Sequence, residues 1–296
     1  MRLFFLVVLA LPALGQPKLI LDADTANEID DLFAITWMVA QDEYDVLGVT
    51  SAQWVHYLSG DSTVYRSQRY NEELRALLGR EDLPLPLGAD EPVGRPWGGQ
   101  EPKDSPAAQF IIDHARALPE GDSLTVVSLG ATTNLASAIL LAPDIVPKLR
   151  AYLLGFRFDA ERSVWNKSSF NVRRDLNAAD VLLDTPELEL HIMPITTARA
   201  LTFRQDSTFA RHERLGDLGA YLTMRWNERF AAFDTWVMWD LALVQAVFRP
   251  ALATQLQVPA PPENAERSVW VYTDIDEDAM RAAYWKAVLE EFGGAR

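Results

Sequence analysis

The sequence predicts an α/β fold in which a mostly parallel β-sheet is flanked by helices. Short apolar runs alternate with longer amphipathic segments along nearly the whole chain. Parallel strands are buried on both faces and need helical crossovers between them, and this produces such an alternation. No internal repeat and no change of composition marks a second domain, so residues 16–296 are predicted to form a single domain.

The predicted elements follow one another in chain order. An apolar strand at 19–21 leads into an amphipathic helix at about 28–41, for which Asn27 is the expected N-cap. Residues 88–105 and 156–174 are predicted to be irregular loops. A Trp-rich stretch, 203–248, is predicted to form two or more helices. The other predicted strands are 46–51, 84–87, 123–129, 152–154, 188–192 and 268–273, and the other predicted helices are 62–78, 106–118, a helix ending near 141, 176–183 and 276–292.

Composition excludes some partners. The chain has 27 Lys plus Arg and 42 Asp plus Glu, a net charge of −15. A surface this acidic repels nucleic acid and anionic membranes, so neither is an expected partner. The chain has no cysteine, which excludes disulfides and thiolate chemistry.

The N-terminus has the pattern of a secretory signal. A basic start at Arg2 precedes an apolar run, 3–11, and small residues near Gly15 offer a cleavage site. The run is short for a membrane span, so no stable membrane association is expected. Residues 1–15 are therefore predicted to be a signal peptide and the protein to be secreted or periplasmic. The alternatives are a buried N-terminal strand or a membrane anchor.

A dense group of carboxylates follows the first strand. Asp22 and Asp24 share one face of an extended strand, and Asp30 and Asp31 fall in the first turn of the next helix. With Glu28, these side chains could converge at the carboxyl end of one strand, where open α/β sheets bind ligands. Hard oxygen ligands suit calcium or magnesium. The alternative is that the acidic residues only stabilise the helix N-terminus.

The motifs resemble those of the nucleoside hydrolases of the inosine-uridine preferring type. The stretch DADTANEIDD at 22–31 resembles the signature D-x-D-P-G-x-D-D, with two additional residues and no Pro-Gly. GATTNLA at 130–136 resembles G-P-L-T-N-I-A, LLG at 153–155 stands where the family has Met-Gly-Gly, and SFN at 169–171 resembles E-F-N. MWD at 238–240 stands where the family has a His-Asp pair. The likeness covers most of the chain after residue 16 and is closest to an exported branch with an NEIDD-type motif.

The resemblance implies a Rossmann-like nucleoside hydrolase fold with a helical insertion and a calcium-dependent hydrolase of ribonucleosides or related ribosides. Relatives are often dimers or tetramers, so a homo-oligomer is expected. The implied metal ligands are Asp24, Asp31, the Thr133 carbonyl and Asp240. Asp24 is implied to take the proton of the attacking water, and Asp30 and Asn171 to bind sugar hydroxyls.

Three departures from the family pattern keep alternatives open. Ser169 replaces the Glu of E-F-N, and Trp239 replaces the usual His. Trp239 could stack on a base or pack in a core stripe with Trp236. The Asn expected after the second strand is absent, and His56 or Gln53 occupies that neighbourhood, so His56 is a candidate for substrate binding. The alternative functions are a secreted nucleoside- or sugar-binding protein without hydrolysis, and a glycoside hydrolase with a different leaving group.

Overall fold

A computed structural model describes residues 15–60, 62–94 and 99–294. The predicted signal peptide, residues 1–15, lies outside the described residues except for its last position. Among the described residues, no helix has the length and apolar character needed to cross a membrane.

The strands of the described residues form one large sheet and two small hairpins. The large sheet has the order β10-β11-β7-β4-β3-β1-β2, and every neighbouring pair is parallel except β10 with β11. The prediction of a mostly parallel sheet flanked by helices is therefore confirmed. The strands are β1 (Lys18–Ala23), β2 (Asp45–Ser51), β3 (Leu124–Ser128), β4 (Leu149–Leu154), β5 (Arg157–Asp159), β6 (Val164–Asn166), β7 (Glu189–Met193), β8 (Thr202–Arg204), β9 (Thr235–Val237), β10 (Ala253–Pro259) and β11 (Ser268–Ile275).

Helices connect the strands and cover both faces of the large sheet. The helices are α1 (Asp30–Val39), α2 (Thr63–Leu77), α3 (Pro106–Ala117), α4 (Thr133–Leu141), α5 (Phe170–Arg174), α6 (Leu176–Leu183), α7 (Ile195–Ala198), α8 (Gln205–His212), α9 (Gly216–Phe230), α10 (Trp239–Phe248) and α11 (Glu277–Phe292). Two short 3₁₀ helices lie at Pro143–Lys148 and Pro250–Leu252.

Strand β1 shows how the sheet separates two hydrophobic cores. Leu19 and Leu21 pack into a core with α1 and α10, whereas Ile20 packs into the core on the other face with α3 and α4. Successive strand side chains point to opposite faces, so a strand buried on both sides must be apolar throughout. This arrangement places the carboxyl ends of the parallel strands at one edge of the sheet.

The start of α1 differs from the prediction. The prediction that Asn27 caps this helix is wrong, because α1 begins at Asp30 and Ile29 is its N-cap residue, without a side-chain cap. The main-chain N–H of Asn27 instead donates to the carbonyl of Asp24 at 2.7 Å and closes a tight turn. The chain from 25 to 29 is therefore a loop between strand and helix.

Other differences have simple causes. The segment 84–87 lies beside β2 but forms no regular strand, because Pro84 and Pro86 accept hydrogen bonds yet have no N–H to donate. The predicted loop at 156–174 contains the β5–β6 hairpin and α5. The predicted helical stretch at 203–248 contains α8, α9 and α10 but also β9. The edge strand β10 was not predicted, because its side chains are mostly exposed or half-buried and show no strong apolar run.

Candidate active site

A pocket opens at the carboxyl ends of the parallel strands. It has an empty volume of about 490 Å³ including its mouth. Its wall residues come from the ends of β1, β3, β4 and β7 and from the starts of α1, α5, α7 and α10. They are Asp24, Asn27, Glu28, Asp30, Asp31, Leu129, Leu154, Phe170, Asn171, Ile195, Trp239 and Asp240.

The floor of the pocket is a cluster of buried carboxylates. One oxygen from each of Asp30, Asp31 and Asp240 lies within 4.8 Å of the others. Asp30 also accepts a hydrogen bond from the main-chain N–H of Asp240 at 3.0 Å, which ties α1 to α10. Two helix N-termini therefore meet at this cluster, and their dipoles favour negative charge there. Asp24, from the end of β1, is buried beside them.

Burial raises the pKa of every carboxyl in this cluster, and repulsion by neighbouring carboxylates adds to the rise for three of them. For Asp24 and Asp31, burial raises the pKa well above its ordinary value and the neighbouring carboxylates raise it further. The pKa of Asp240 is raised well above its ordinary value by the same two causes, and that of Asp30 is raised chiefly by burial. Keeping several such groups ionised at one place requires a compensating positive charge.

The carboxylate oxygens fit a hard divalent cation. Within the described residues, Asp24 Oδ2, Asp30 Oδ1, Asp31 Oδ1 and Asp240 Oδ1 are buried without a hydrogen-bond partner. Buried polar atoms normally have a hydrogen-bond partner, so four carboxylate oxygens without one around a single pocket indicate a binding site for a cation. An all-oxygen, anionic set of this kind suits calcium or magnesium.

Asp22 has a different role from its neighbours in the motif. Its carboxylate accepts hydrogen bonds from Thr50 Oγ1 at 2.6 Å and from Asn134 Nδ2 at 2.8 Å. Burial raises the pKa of Asp22 to about 6 despite these bonds. Asp22 thus joins β1, β2 and the start of α4, and it lies outside the pocket wall.

The structure places Leu129, and not Thr133, in the pocket wall. The Thr133 hydroxyl donates to Asp175 Oδ2 at 2.7 Å and accepts from Gln53 Nε2 at 3.0 Å, and the residue lies in the first turn of α4 outside the pocket wall. Leu129 directly follows β3 at the wall, and a Cβ on the adjacent Gly130 would lie only 2.8 Å from Asp24. The expected role of the Thr133 carbonyl as a metal ligand stays a prediction, and the Leu129 carbonyl, at the pocket wall, is a second candidate.

Asn171 is fastened to the ends of two strands. Its Nδ2 donates to the carbonyl of Leu154 at 3.1 Å and to that of Leu129. Because its amide N–H groups are engaged, its Oδ1 is the atom left to accept a hydrogen bond from a ligand. The structure therefore brings Asn171 to the same pocket as Asp24, Asp30 and Asp240.

The aromatic candidates lie at different depths. Trp239 begins α10 and lines the pocket, while Trp236 lies in β9, so the two do not share a helical core stripe as the spacing suggested. Their rings meet edge to face at 6.2 Å. His56 lies outside the wall and packs edge to face on the wall residue Phe170 at 6.0 Å. Partial burial and the guanidinium groups of Arg174 and Arg229 lower the pKa of His56.

Comparison with known proteins identifies the family. The model of the inosine-uridine preferring nucleoside hydrolases matches residues 19–284, which is most of the chain. The chain belongs to this nucleoside hydrolase family. It is therefore a hydrolase that acts on N-glycosyl compounds, and the family identity agrees with the pocket of carboxylates at the strand ends.

Curated nucleoside hydrolases are similar over most of the chain. The Arabidopsis thaliana protein named "Probable uridine nucleosidase 2" is 27% identical over 270 residues, which cover 82% of this chain and 81% of that protein. The pyrimidine-specific ribonucleoside hydrolase RihB of Escherichia coli (strain SE11) is 27% identical over 214 residues, which cover 67% of this chain and 66% of that protein.

Solved structures of nucleoside hydrolases share the fold. A plant nucleoside hydrolase superposes with a TM-score of 0.71 at 17% identity and covers 93% of this chain and 99% of its own. An inosine-guanosine nucleoside hydrolase superposes with a TM-score of 0.71 at 19% identity and covers 95% of this chain and 100% of its own. The prediction of a nucleoside hydrolase fold is confirmed.

Ser169 has a structural role in this nucleoside hydrolase. Its Oγ accepts a hydrogen bond from the main-chain N–H of Phe156 at 2.7 Å, and the side chain is buried. Phe156 has a positive φ of 61°, which is uncommon for a residue with a side chain. Ser169 therefore fixes the bend after β4, and it does not line the pocket.

The pocket wall contains residues that the sequence did not single out. Leu129, Leu154 and Ile195 lie in it because each is at, or just after, the end of a parallel strand. Asn27, expected only as a helix cap, lies in it because the loop before α1 turns toward the pocket. Glu28 lies in it for the same reason, and the sequence had already placed it among the carboxylates that could converge here.

Proposed function

We propose that this protein hydrolyses the N-glycosidic bond of ribonucleosides in a calcium-dependent reaction. The observation that supports this most directly is the group of four buried carboxylates with orphaned oxygens in the wall of one pocket. The names of the relatives in Arabidopsis and Escherichia coli favour uridine and other pyrimidine ribonucleosides as substrates.

Asp24, Asp31 and Asp240 would hold the calcium ion, together with the main-chain carbonyl of Thr133 or of Leu129. When bound, the ion would lower the pKa of a water molecule and orient the sugar diol. The Asp24 carboxylate takes the proton of the attacking water. Asp24 suits this role because its carboxylate lies in the pocket wall beside the other proposed ligands.

The remaining wall residues would position the nucleoside. The Asp30 carboxylate and Asn171 Oδ1 accept hydrogen bonds from sugar hydroxyls, and the Trp239 ring packs against the base. Cleavage of an N-glycosidic bond develops positive charge on the sugar ring. Among the described residues, the wall contains five acidic side chains and no lysine or arginine, so it stabilises that charge.

The test is the release of free base from a panel of ribonucleosides, headed by uridine, in calcium and in chelator. We expect release in calcium and its loss in chelator, with recovery when calcium is restored. Turnover that persists unchanged in chelator would contradict the calcium requirement.

A binding protein of the same fold is the second candidate function. It is favoured by the structural use of Ser169, which leaves the pocket without a carboxylate from α5. Calorimetry with uridine separates the two functions, because a binding protein would bind uridine in calcium and release no base.

The cellular location of the protein is also part of the proposal. We expect a secreted or periplasmic protein, and fractionation of cells expressing the full chain would show it in the cytoplasm if the leader is not a signal peptide.

A further inference from the structure

The loop between Asp24 and Asp30 is held by a tight turn of its own and by contacts with α2 and α9. Thr25 Oγ1 donates to Asn71 Oδ1 of α2 at 2.5 Å, and the Asn27 N–H closes the turn onto Asp24. Arg229 of α9 donates to the carbonyl of Ala26 at 2.9 Å and to that of Asn27. A loop held in this way presents its next side chain in a defined position, and that side chain is Glu28.

Glu28 lies in the pocket wall without a protein partner. It is half-buried, and within the described residues it makes no hydrogen bond or ion pair. Arg229 lies close enough to act on its charge, but the hydrogen bonds that it makes go from Nη1 to the loop carbonyls and not to Glu28. An unpartnered carboxyl group on a fixed loop in a pocket wall is available to a ligand.

We infer that Glu28 is a specificity-determining residue that binds the 5′-hydroxyl of the ribose. This inference rests on the proposed function. Four carboxylates and Asn171 already face the buried end of the pocket, where the ring diol is expected, and Glu28 is the one acidic wall residue that is half-exposed. A ribose has one hydroxyl beyond the diol, whereas the edges of uracil carry mainly carbonyl oxygens, which a carboxylate repels.

Ser169 explains why this contact would come from the loop before α1. In this chain the Ser169 hydroxyl accepts a hydrogen bond from the Phe156 N–H and does not line the pocket. Glu28, on the loop before α1, is the remaining acidic wall residue that is free to make a further polar contact with a ligand.

The test compares uridine with 5′-deoxyuridine in the full chain, in wild type, Glu28→Ala and Glu28→Gln. A hydrogen bond to a charged group corresponds to about 10- to 100-fold in kcat/KM, so wild type should prefer uridine by that factor. In Glu28→Ala the preference for uridine should shrink to within about 3-fold, because neither substrate can then make the contact with residue 28. Glu120→Ala, a change at an exposed glutamate in the turn after α3, is the control and should keep the full preference.

The comparison separates a contact from a structural effect. If Glu28 only supports the fold, Glu28→Ala lowers turnover of both substrates equally and keeps the preference, which would overturn the inference. A wild type without any preference would overturn it too. Glu28→Gln has the same size, so an intermediate preference in that variant supports the contact even if Glu28→Ala is unstable.

Binding measurements keep this inference distinct from the proposed function. If wild type releases no base, calorimetry of the same two ligands in calcium tests whether Glu28 contacts the 5′-hydroxyl. A preference for uridine that depends on Glu28 would leave the contact standing while hydrolysis fails, whereas no binding of either ligand would overturn both.

Discussion

Asp31 illustrates the conflict between stability and function at the scale of single residues. Its carboxylate is buried against Asp30 and Asp240, and burial and repulsion raise its pKa well above the ordinary value. Such a group destabilises the protein unless a cation compensates its charge. Sites of this kind are retained for their chemistry.

Asp31→Asn should therefore separate the contribution of Asp31 to calcium binding from its cost to the stability of the metal-free protein. We expect loss of calcium binding by calorimetry and a fall in kcat of about 10³-fold, because a catalytic metal contributes several kcal/mol. In chelator the free energy of unfolding should rise by on the order of 1 kcal/mol, since one buried like charge is removed. Asp144→Asn, at an exposed ion pair with Arg116, is the control and should change neither. Calcium binding retained by Asp31→Asn would contradict the assignment.

His212 makes the stability of the protein depend on pH. It is buried among Phe33, Phe209 and Trp285, and its Nδ1 lies 2.8 Å from Thr223 Oγ1 while its Nε2 has no partner. Burial lowers the pKa of His212 from 6.5 to about 4. As the pH falls below 6.5, His212 becomes protonated in the unfolded chain but stays neutral in the folded protein. The folded state therefore loses stability until the pH reaches about 4, where His212 is protonated in both states.

Chemical denaturation between pH 7 and pH 4 checks this effect. The contribution of His212 to the free energy of unfolding should fall by about 3 kcal/mol over this range. His212→Gln should flatten the pH profile by that amount relative to wild type, while His114→Gln, at a half-exposed site where burial lowers the pKa less, should flatten it by a smaller amount. Parallel profiles for wild type and His212→Gln would show that the ring is accessible to protons in the folded state.

The sequence identified the acidic site residues but not the whole wall. Asp24, Asp30, Asp31 and Asp240 could be predicted because carboxylates at strand ends and helix starts have a chemical reason to converge. Leu129 could not, because it contributes through its position at a strand end and any apolar side chain would serve. Glu28 depends on the contact of its loop with Arg229, which is some 200 positions away in the chain.

At the scale of elements, the turn between β3 and α4 holds the site together. Gly130 lies in this turn, and a Cβ there would come within 2.8 Å of the Asp24 Cβ and 3.0 Å of its Oδ1. The end of β1 and the turn after β3 can approach this closely only because residue 130 has no side chain. The glycine therefore sets the position of the Asp24 carboxylate.

Gly130→Ala should weaken both the fold and the site. We expect a loss of about 1–3 kcal/mol in the free energy of unfolding by urea, as for other overpacked positions. Calcium affinity should fall as well, because Asp24 must move. Gly294→Ala, where a Cβ meets nothing within 4 Å, is the matched control. If Gly130→Ala binds calcium as tightly as wild type, the close approach has no bearing on the metal site.

Ser169 tests whether α5 has only a structural task at this position. Ser169→Ala leaves the buried N–H of Phe156 unpaired and should cost about 1–3 kcal/mol of stability. Because the side chain does not line the pocket, kcat/KM for uridine should stay within about 3-fold of wild type. Ser168→Ala, at the exposed neighbouring position, should change neither quantity. A large fall in kcat/KM with unchanged stability would assign Ser169 to the substrate.

Elements were predictable in proportion to their burial. The central strands β1, β3 and β7 are buried on both faces and mostly apolar, so they stand out in the sequence. Strands β5, β6 and β9 have three residues each, and β10 is an edge strand with much of its surface exposed, so none carries a strong pattern. Their existence follows from tertiary pairing, which a local pattern does not contain.

For the whole molecule, the site is the place where distant parts of the chain are joined. Asp24 and Asp31 come from near the start of the described chain, Asn171 from the middle and Asp240 from α10. The parallel sheet brings these segments together at one edge, and the orphaned carboxylate oxygens keep repulsive charge at that junction. A cation bound there should consequently stabilise the folded state as a whole.

Thermal unfolding in calcium tests this coupling. A ligand that binds only the folded state at about 100 times its Kd adds about 2.7 kcal/mol to the free energy of unfolding. One kcal/mol shifts the Tm of a protein approaching this size by about 2–4 °C, so saturating calcium should raise Tm by about 5–10 °C over chelator. Magnesium should raise Tm less, because it demands a stricter octahedral geometry and gives up its water reluctantly. Asp31→Asn should show no calcium shift, while Asp144→Asn should show the full one. Equal Tm values for wild type in calcium and in chelator would mean that these carboxylates hold no calcium.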